Sequence, residues 1–394
     1  MAVMKVQSSK FKVQSIMKLK NYIYGIALGA VSLTVASCYN ADRTFPDYQE
    51  GTTAYFAYQN PVRTLILGSD IYDNELDNAH KCRIWATMGG AYGGRDATVD
   101  VYVDEKLCEN LYFMDVNGNV AEPVRPMPGN YYDLIADKNG EYKIPYNGDS
   151  RGYIEVQFND AFFADTNSIK NTYVIPLVMK NAQGIDHVLT GTPREGLDPS
   201  RTNTEDWDVL AKDYVLYCVK YINPWDAKYI RRGVDKIQDG DMSSEIVRKD
   251  FSLVNTDTER YKENPVNAND EVCSIETKNM TQAIFPVSFR VSGGSIYCNL
   301  VLTFNGDNCT ISTDDKGVTV TGSGEYIKGG TDKPEYKDYQ WGNMNGKPVS
   351  RDILRLNYNV KFEDKNIQIA TTDTMVVQTR ESNQKVFFST KYVK

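Results

Sequence analysis

Along the first half of the chain, apolar and polar residues alternate with a period of two. In Thr98–Val103, Val99, Val101 and Val103 fall on one face and Thr98, Asp100 and Tyr102 on the other, which is the pattern of a half-buried strand. Comparable runs occupy Thr53–Tyr58, Val62–Leu67, Lys81–Met88, Glu141–Ile144, Gly152–Phe158, Tyr173–Met179 and Asp213–Ile222, separated by clusters of Gly, Pro, Asn and Asp. No helical period is sustained. Short helical turns are expected at Glu105–Asn110 and Asp160–Asp165.

About eight short strands with frequent turn signals predict an immunoglobulin-like β-sandwich over residues 52–228. Leu189–Lys212 interrupts the pattern with Gly, Pro, Arg and acidic residues and is expected to form a long loop before the last strand. Asn223-Pro224-Trp225 closes this domain, and Arg231-Arg232-Gly233 opens a second one over 229–394. Asp235–Asn269 is mostly polar, with a strand expected at Phe251–Val254. Strand signals then return at Val272–Thr277, Ala283–Val291, Ser295–Phe304, Asn308–Ser312, Val318–Thr321, Asp352–Phe362, Asn366–Ala370, Thr374–Thr379 and Lys385–Ser389. Ser292-Gly293-Gly294 and Asn305-Gly306-Asp307 are direct hairpin signals. Successive hairpins describe an antiparallel meander, which must close or pack on another sheet to hide its edges. An all-β chain results, and a lipocalin-like barrel is preferred to a second sandwich for its C-terminal domain.

The N-terminus carries a different pattern. Lys18 and Lys20 precede an apolar, small-residue run from Tyr22 to Ala36, which ends in Val35-Ala36-Ser37-Cys38. A run of about fifteen residues suits export but is short for a membrane span. The segment resembles a bacterial lipobox, which makes residues 1–37 a lipoprotein signal peptide and Cys38 the lipidated residue. Met17 begins a better-proportioned signal than Met1. Residues 38–51 are expected to be a tether, with the working domains outside the cytoplasm.

The net charge of the chain is −8. The signal segment holds Lys5, Lys10, Lys12, Lys18 and Lys20 and no acid, so the remainder is more acidic still. Such a surface repels nucleic acid and favours a neutral or cationic partner. Beyond Cys38 lie Cys82, Cys108, Cys218, Cys273, Cys298 and Cys309, with wide, irregular spacings and no Cys-x-x-Cys. They read as small buried core residues rather than a disulfide framework. His80 and His187 have no ligand spacing, so no metal or other cofactor is implied.

Motifs for catalysis are weak. Gly89-Gly90-Ala91-Tyr92-Gly93-Gly94 lacks the Lys-Ser/Thr pair and the helix of a phosphate loop. Asp115-Val116-Asn117-Gly118-Asn119 lacks the closing acid of a calcium loop and reads as a turn. No local spacing selects a carboxylate pair for glycoside hydrolysis, and no Gly-x-Ser-x-Gly elbow is present. A non-enzymatic role is therefore expected. The best ligand-binding candidate is Thr331–Ser350, where Tyr336, Tyr339 and Trp341 sit among Asp338, Asn343 and Asn345. Flat rings flanked by amides and carboxylates suit the C–H faces and hydroxyls of sugars. The competing reading makes Trp341-Gly342 a structural plug of the barrel end. A secondary candidate is Trp207, beside Glu205, Asp206 and Asp208 in the long loop.

Met127-Pro128-Gly129-Asn130-Tyr131-Tyr132, Tyr142-Lys143-Ile144-Pro145, Gly152-Tyr153-Ile154-Glu155-Val156, Tyr173-Val174-Ile175-Pro176-Leu177 and Tyr214-Val215-Leu216-Tyr217 together resemble the N-terminal immunoglobulin-like domain of Bacteroides-type surface lipoproteins. Thr321-Gly322-Ser323-Gly324-Glu325-Tyr326, Trp341-Gly342, Arg351-Asp352 and Asp373-Thr374-Met375-Val376-Val377 resemble the domain that often follows it. Gln378-Thr379-Arg380-Glu381 departs from that pattern, which has a more basic, glycine-containing ending. The resemblance implies an outer-membrane, surface-exposed lipoprotein that binds glycan in a polysaccharide-uptake system, beside a TonB-dependent transporter and its lid lipoprotein. Two alternatives are an apolar ligand held inside the C-terminal barrel and a polysaccharide hydrolase.

Overall fold

The computed structural model describes residues 47–248, 271–339, 343–344, 346–380 and 386–393. The expected signal peptide, Cys38, most of the expected tether and the strand expected at Phe251–Val254 lie outside them. In the N-terminal half the longer strands are β1 (Thr53–Tyr55), β2 (Val62–Ile66), β3 (Lys81–Gly89), β4 (Thr98–Val103), β5 (Leu111–Met114), β6 (Tyr132–Leu134), β7 (Lys143–Pro145), β8 (Arg151–Phe158), β9 (Tyr173–Gln183) and β10 (Tyr214–Ile222). All but β5, which pairs with Val120–Pro123 in a small separate sheet, form two curled sheets. One has the order His187–Val188, β1, β3, β8, β6, and the other runs β2, β10, β9, β4, β7 with Arg125–Pro126 added beside β9. The helical turns appear at Glu105–Cys108 and Asp160–Ala164.

Burial follows the alternation. Cys82, Ile84, Ala86 and Met88 of β3 are buried while Lys81, Arg83, Trp85 and Thr87 are not, so the first sheet has one covered face and one open face. In β9, by contrast, Tyr173–Met179 is buried without a break, because the second sheet is covered twice. The Tyr217 hydroxyl reaches across to the first sheet and donates to the Arg83 carbonyl at 3.2 Å. On the opposite side Val174 and Val178 pack into a cluster with Leu111, Phe113 and Trp207. The expected long loop Leu189–Lys212 supplies part of that cover through a short ladder of Thr192–Pro193 with Trp207–Val209.

The C-terminal half is a closed eight-stranded antiparallel barrel. Its strands are β11 (Ala227–Asp239), β13 (Glu271–Thr277), β14 (Gln282–Val291), β15 (Gly294–Asn305), β16 (Asn308–Ser312), β17 (Val318–Ile327), β18 (Ile353–Phe362) and β19 (Ile367–Thr379), with β12 (Met242–Val247) added beside β11. Each pairs with the next in the meander, and β19 closes the ring by pairing with β11 from Lys228 to Asp239. The barrel, rather than a second sandwich, is thus the solution to the edge problem. Asp235–Val247, expected to be part of a polar linker, instead forms the end of β11 and all of β12.

The reason lies inside the barrel. Phe285, Phe289, Leu300, Leu302, Tyr358 and Ile369 fill it at almost no exposure, but the inward positions of β11 include Arg231, Gly233 and Asp235. Arg231 donates from Nε to Asp373 at 3.1 Å, from Nη1 to Glu271 at 3.2 Å and from Nη2 to the Tyr358 hydroxyl oxygen at 3.1 Å. Arg248 bridges Asp235 and Asp373, and Thr371 donates to Asp235 at 2.7 Å. Burial and the Asp373 charge push the Tyr358 hydroxyl well above the usual phenol range, so it stays protonated and donates to Asp373. Gly233 is required here. A Cβ on it would meet Asp373 Oδ1 at 2.3 Å and Arg248 Nη2 at 2.8 Å.

All six cysteines described are free thiols, five of them buried and Cys273 partly so. Burial pushes each up to about 12. A raised thiol pKa leaves about one part in ten thousand as thiolate at pH 8, and thiolate is the reactive form. Iodoacetamide at pH 8 is therefore expected to label none of the six in the folded protein and all six in urea, as read by mass spectrometry. Rapid native labelling of any one would contradict its placement.

Candidate functional site

Residues of the expected sugar loop are placed unevenly. Tyr336 is 8% exposed and packs with Ile327, Ile353 and Val376 on the outside of the barrel end. Tyr339 meets it edge-on at 6.0 Å and lies under the Arg232 guanidinium, 4.6 Å from its ring centre. The structure joins these two tyrosines in a packed cluster rather than on an open surface. Trp341 and the side chains of Asp338 and Asn343 lie outside the described residues. Trp207 is 8% exposed, and its indole N–H donates to the Ser200 carbonyl at 2.8 Å. Trp225, a third tryptophan, stacks flat on Phe304 at 3.7 Å in the barrel core.

Trp85 is different. It stands on the open face of the first N-terminal sheet and is 45% exposed. Register explains what surrounds it. β3 and β8 pair with Trp85 opposite Tyr153, Arg83 opposite Glu155 and Thr87 opposite Arg151, and side chains two apart on a strand share a face. The Trp85 and Tyr153 rings are 4.7 Å apart and inclined at 52°. Arg151 reaches diagonally to lie 5.4 Å from the centre of the Trp85 ring, and Arg83 reaches from the other side to 4.4 Å from that of Tyr153. Lys81 holds Glu155 at 2.7 Å, while Arg83 stays 3.8 Å from the same carboxylate. The result is a row of guanidinium, indole, phenol and guanidinium, held on paired strands whose other face is core. Such a surface offers a flat apolar ring bordered by fixed hydrogen-bond donors, which can stack a ligand and orient it.

Two other polar regions are built differently. An open groove of about 740 Å3 on the barrel wall is lined by Asn308, Thr310, Ser323, Glu325, Arg355 and Asn357. Phe304, which also borders it, is turned into the core, so stacking is absent there. The carboxylates of Asp235 and Asp373 face a common arginine inside the barrel, where each is almost fully buried. They are tied into structure.

Trp85 was the signal in the sequence that alternation alone understates. A tryptophan at the outward position of the strand Lys81–Met88 breaks the polar face expected there, but only the strand pairing shows Tyr153 opposite it.

Residues 224–381 match the family described as a domain of unknown function, DUF5627, and residues 48–186 match one described as an N-terminal domain. The chain is thus a two-domain β protein that joins this N-terminal domain to a DUF5627 barrel. It is 37% identical to a protein of unknown function from Bacteroides ovatus solved by structural genomics, with a TM-score of 0.73 over 88% of this chain and 100% of that one. It belongs to the same family as that protein. No curated protein matches it.

Proposed function

We propose that this protein is a non-catalytic, surface-exposed outer-membrane lipoprotein, anchored through Cys38, that binds glycan for a polysaccharide-uptake system. In this reading the N-terminal sheets are an immunoglobulin-like sandwich that presents the ligand surface, and the partners are a TonB-dependent transporter and its lid lipoprotein. The observation that carries it is the exposed Trp85 paired with the half-buried Tyr153 on the open sheet face. Aromatic rings turned outward beside polar groups favour sugar over lipid, because lipid needs an empty apolar interior. The alternative of an apolar ligand inside the C-terminal barrel fits less well, since rings such as Phe285, Phe289 and Tyr358 occupy its interior. A hydrolase needs two reachable carboxyls, and Asp235 with Asp373 are neither exposed nor free of arginine.

The test is a glycan array on the mature chain without lipid, followed by titration calorimetry of wild type and Trp85→Ala. We expect Trp85→Ala to weaken binding by at least about tenfold, or 1.4 kcal/mol. The melting temperature should shift little, because a half-exposed ring on a sheet surface leaves no core cavity. Undiminished affinity of Trp85→Ala for every glycan retained by the array, or no glycan retained at all, would sink this reading.

A further inference from the structure

We propose that the Trp85–Tyr153 platform selects carboxylated sugars, with Arg83 and Arg151 reading the acid group. This inference rests on the carbohydrate reading of the same sheet face and adds the class of ligand to it.

Four features support it. The chain as a whole carries −8, yet the strands of this face place Lys81, Arg83 and Arg151 against Glu155 and Asp133. A local excess of cations on an acidic protein acts over a screening distance of about 8 Å at physiological salt, so it is felt by a bound sugar even where a long polyanion is repelled overall. Second, the Glu155 carboxylate opposite Arg83 is already taken by Lys81 at 2.7 Å, and Arg83 stands off from it at 3.8 Å. Its guanidinium, a third of its side chain exposed, is not consumed in a bidentate pair.

Third, both guanidiniums rest on aromatic rings, at 4.4 and 5.4 Å from their centres. Stacking fixes a flexible side chain before the ligand arrives, which lowers the ordering cost of binding. Fourth, the two arginines bracket the rings from opposite ends. Arg151 lies opposite Thr87, one outward position beyond Trp85, and Arg83 lies opposite Glu155, one beyond Tyr153. A sugar stacked on the indole therefore has a guanidinium at its edge, and an adjoining residue of the chain meets the other. The planar fork of arginine matches a carboxylate with two parallel N–H bonds, which a hydroxyl cannot reciprocate.

The experiment uses the mature lipid-free chain and three defined probes: oligogalacturonate, alginate oligomers and chondroitin oligosaccharides, each against its carboxyl-reduced form. Reduction turns the carboxylate into a hydroxymethyl group and leaves linkages and ring stereochemistry intact. We expect at least one acidic oligomer to bind about tenfold more tightly than its reduced form, with affinity that falls as salt rises. Arg83→Gln with Arg151→Gln should remove that preference and leave the reduced form's affinity within about twofold. Arg83→Lys with Arg151→Lys, which keeps the charge and loses the fork, should fall between them and guards against a misfolded glutamine variant. Trp85→Ala should weaken both forms. The proposal is overturned if no acidic oligomer is preferred, or if the glutamine variant loses acidic and reduced forms equally. Trp85-dependent binding of neutral glycans alone would overturn the acid selectivity and leave the carbohydrate reading standing.

Discussion

Asp373→Ala is expected to destabilise the barrel by about 3–5 kcal/mol, the range for removing one partner of a buried ion pair. Asp373 is fully buried and accepts from both Arg231 and Arg248, and from the Tyr358 hydroxyl at 3.0 Å. Alanine would leave the guanidiniums of Arg231 on β11 and Arg248 just after β12 with Asp235 and the partly exposed Glu271 to offset them. The loss comes from stranded charge rather than from lost volume, so Asp373→Asn, which keeps the shape and accepts hydrogen bonds through its amide oxygen, should cost less but still be clearly destabilising. Urea unfolding followed by far-ultraviolet circular dichroism measures it. An unfolding free energy within about 1 kcal/mol of wild type for the alanine variant would mean that water or relaxation satisfies the arginines, and the network would lose its structural importance.

The same network explains what sequence reading caught and what it missed. β4 and β16 were legible to the residue, because Val99 and Val101, or Cys309 and Ile311, alternate with polar neighbours between clear turns. β11 was not. Its inward positions at the middle of the barrel are Arg231, Gly233 and Asp235, so the apolar period breaks where the strand is most deeply buried, and a thirteen-residue strand reads as a polar connection. For the same reason the alternation divides one strand into Asn366–Ala370 and Thr374–Thr379. Thr371 and Asp373 are inward positions of a single strand, β19, and face that network. Charge that is paired inside a core is invisible to a pattern that equates polar with exposed.

The candidate site was hidden by a different fact of β structure. Trp207, Tyr336 and Tyr339 stand out in the sequence because aromatics in loops rich in acids and amides resemble sugar contacts, yet a ring in a long loop is often what holds the loop down. Trp207 does so through Ser200, and Tyr336 through Ile327 and Ile353. Trp85 lies within a strand and its partners come from β8, far away in sequence. Net charge is silent on such a local arrangement. An acidic total describes the average surface, whereas Arg83 and Arg151 become neighbours of one another's rings only through the β3–β8 register.

Ending the chain after Arg380 is expected to destabilise the N-terminal sheets by at least about 3 kcal/mol, although the residues removed follow the barrel in sequence. Beyond β19, residues 386–393 return to the N-terminal half. There β20 (Thr390–Tyr392) pairs with β5, with Thr390 opposite Phe113 and Tyr392 opposite Leu111. Val62 donates to the Val386 carbonyl at 2.7 Å, Phe388 to that of Asn60 at 3.1 Å and Met114 to that of Ser389 at 2.9 Å. Phe388 is buried in the cluster with Val174, Val178 and Trp207, its ring 5.0 Å from that of Phe113. Removing a buried phenylalanine costs about 3–5 kcal/mol by itself, and the truncation also bares one edge of β5. Arg380 is kept because it joins the halves separately, donating to the carbonyls of Asp226, Ser69 and Asn223. Hydrogen exchange should therefore show lost protection at Val62 and Met114, with the amides of β15 and β18 unchanged. Adding a peptide of residues 386–394 should restore protection. The single variant Phe388→Ala in the full chain should reproduce most of the stability loss. If the truncated chain keeps its protection at Val62 and Met114, the returning segment lies on the N-terminal sheets without supporting them.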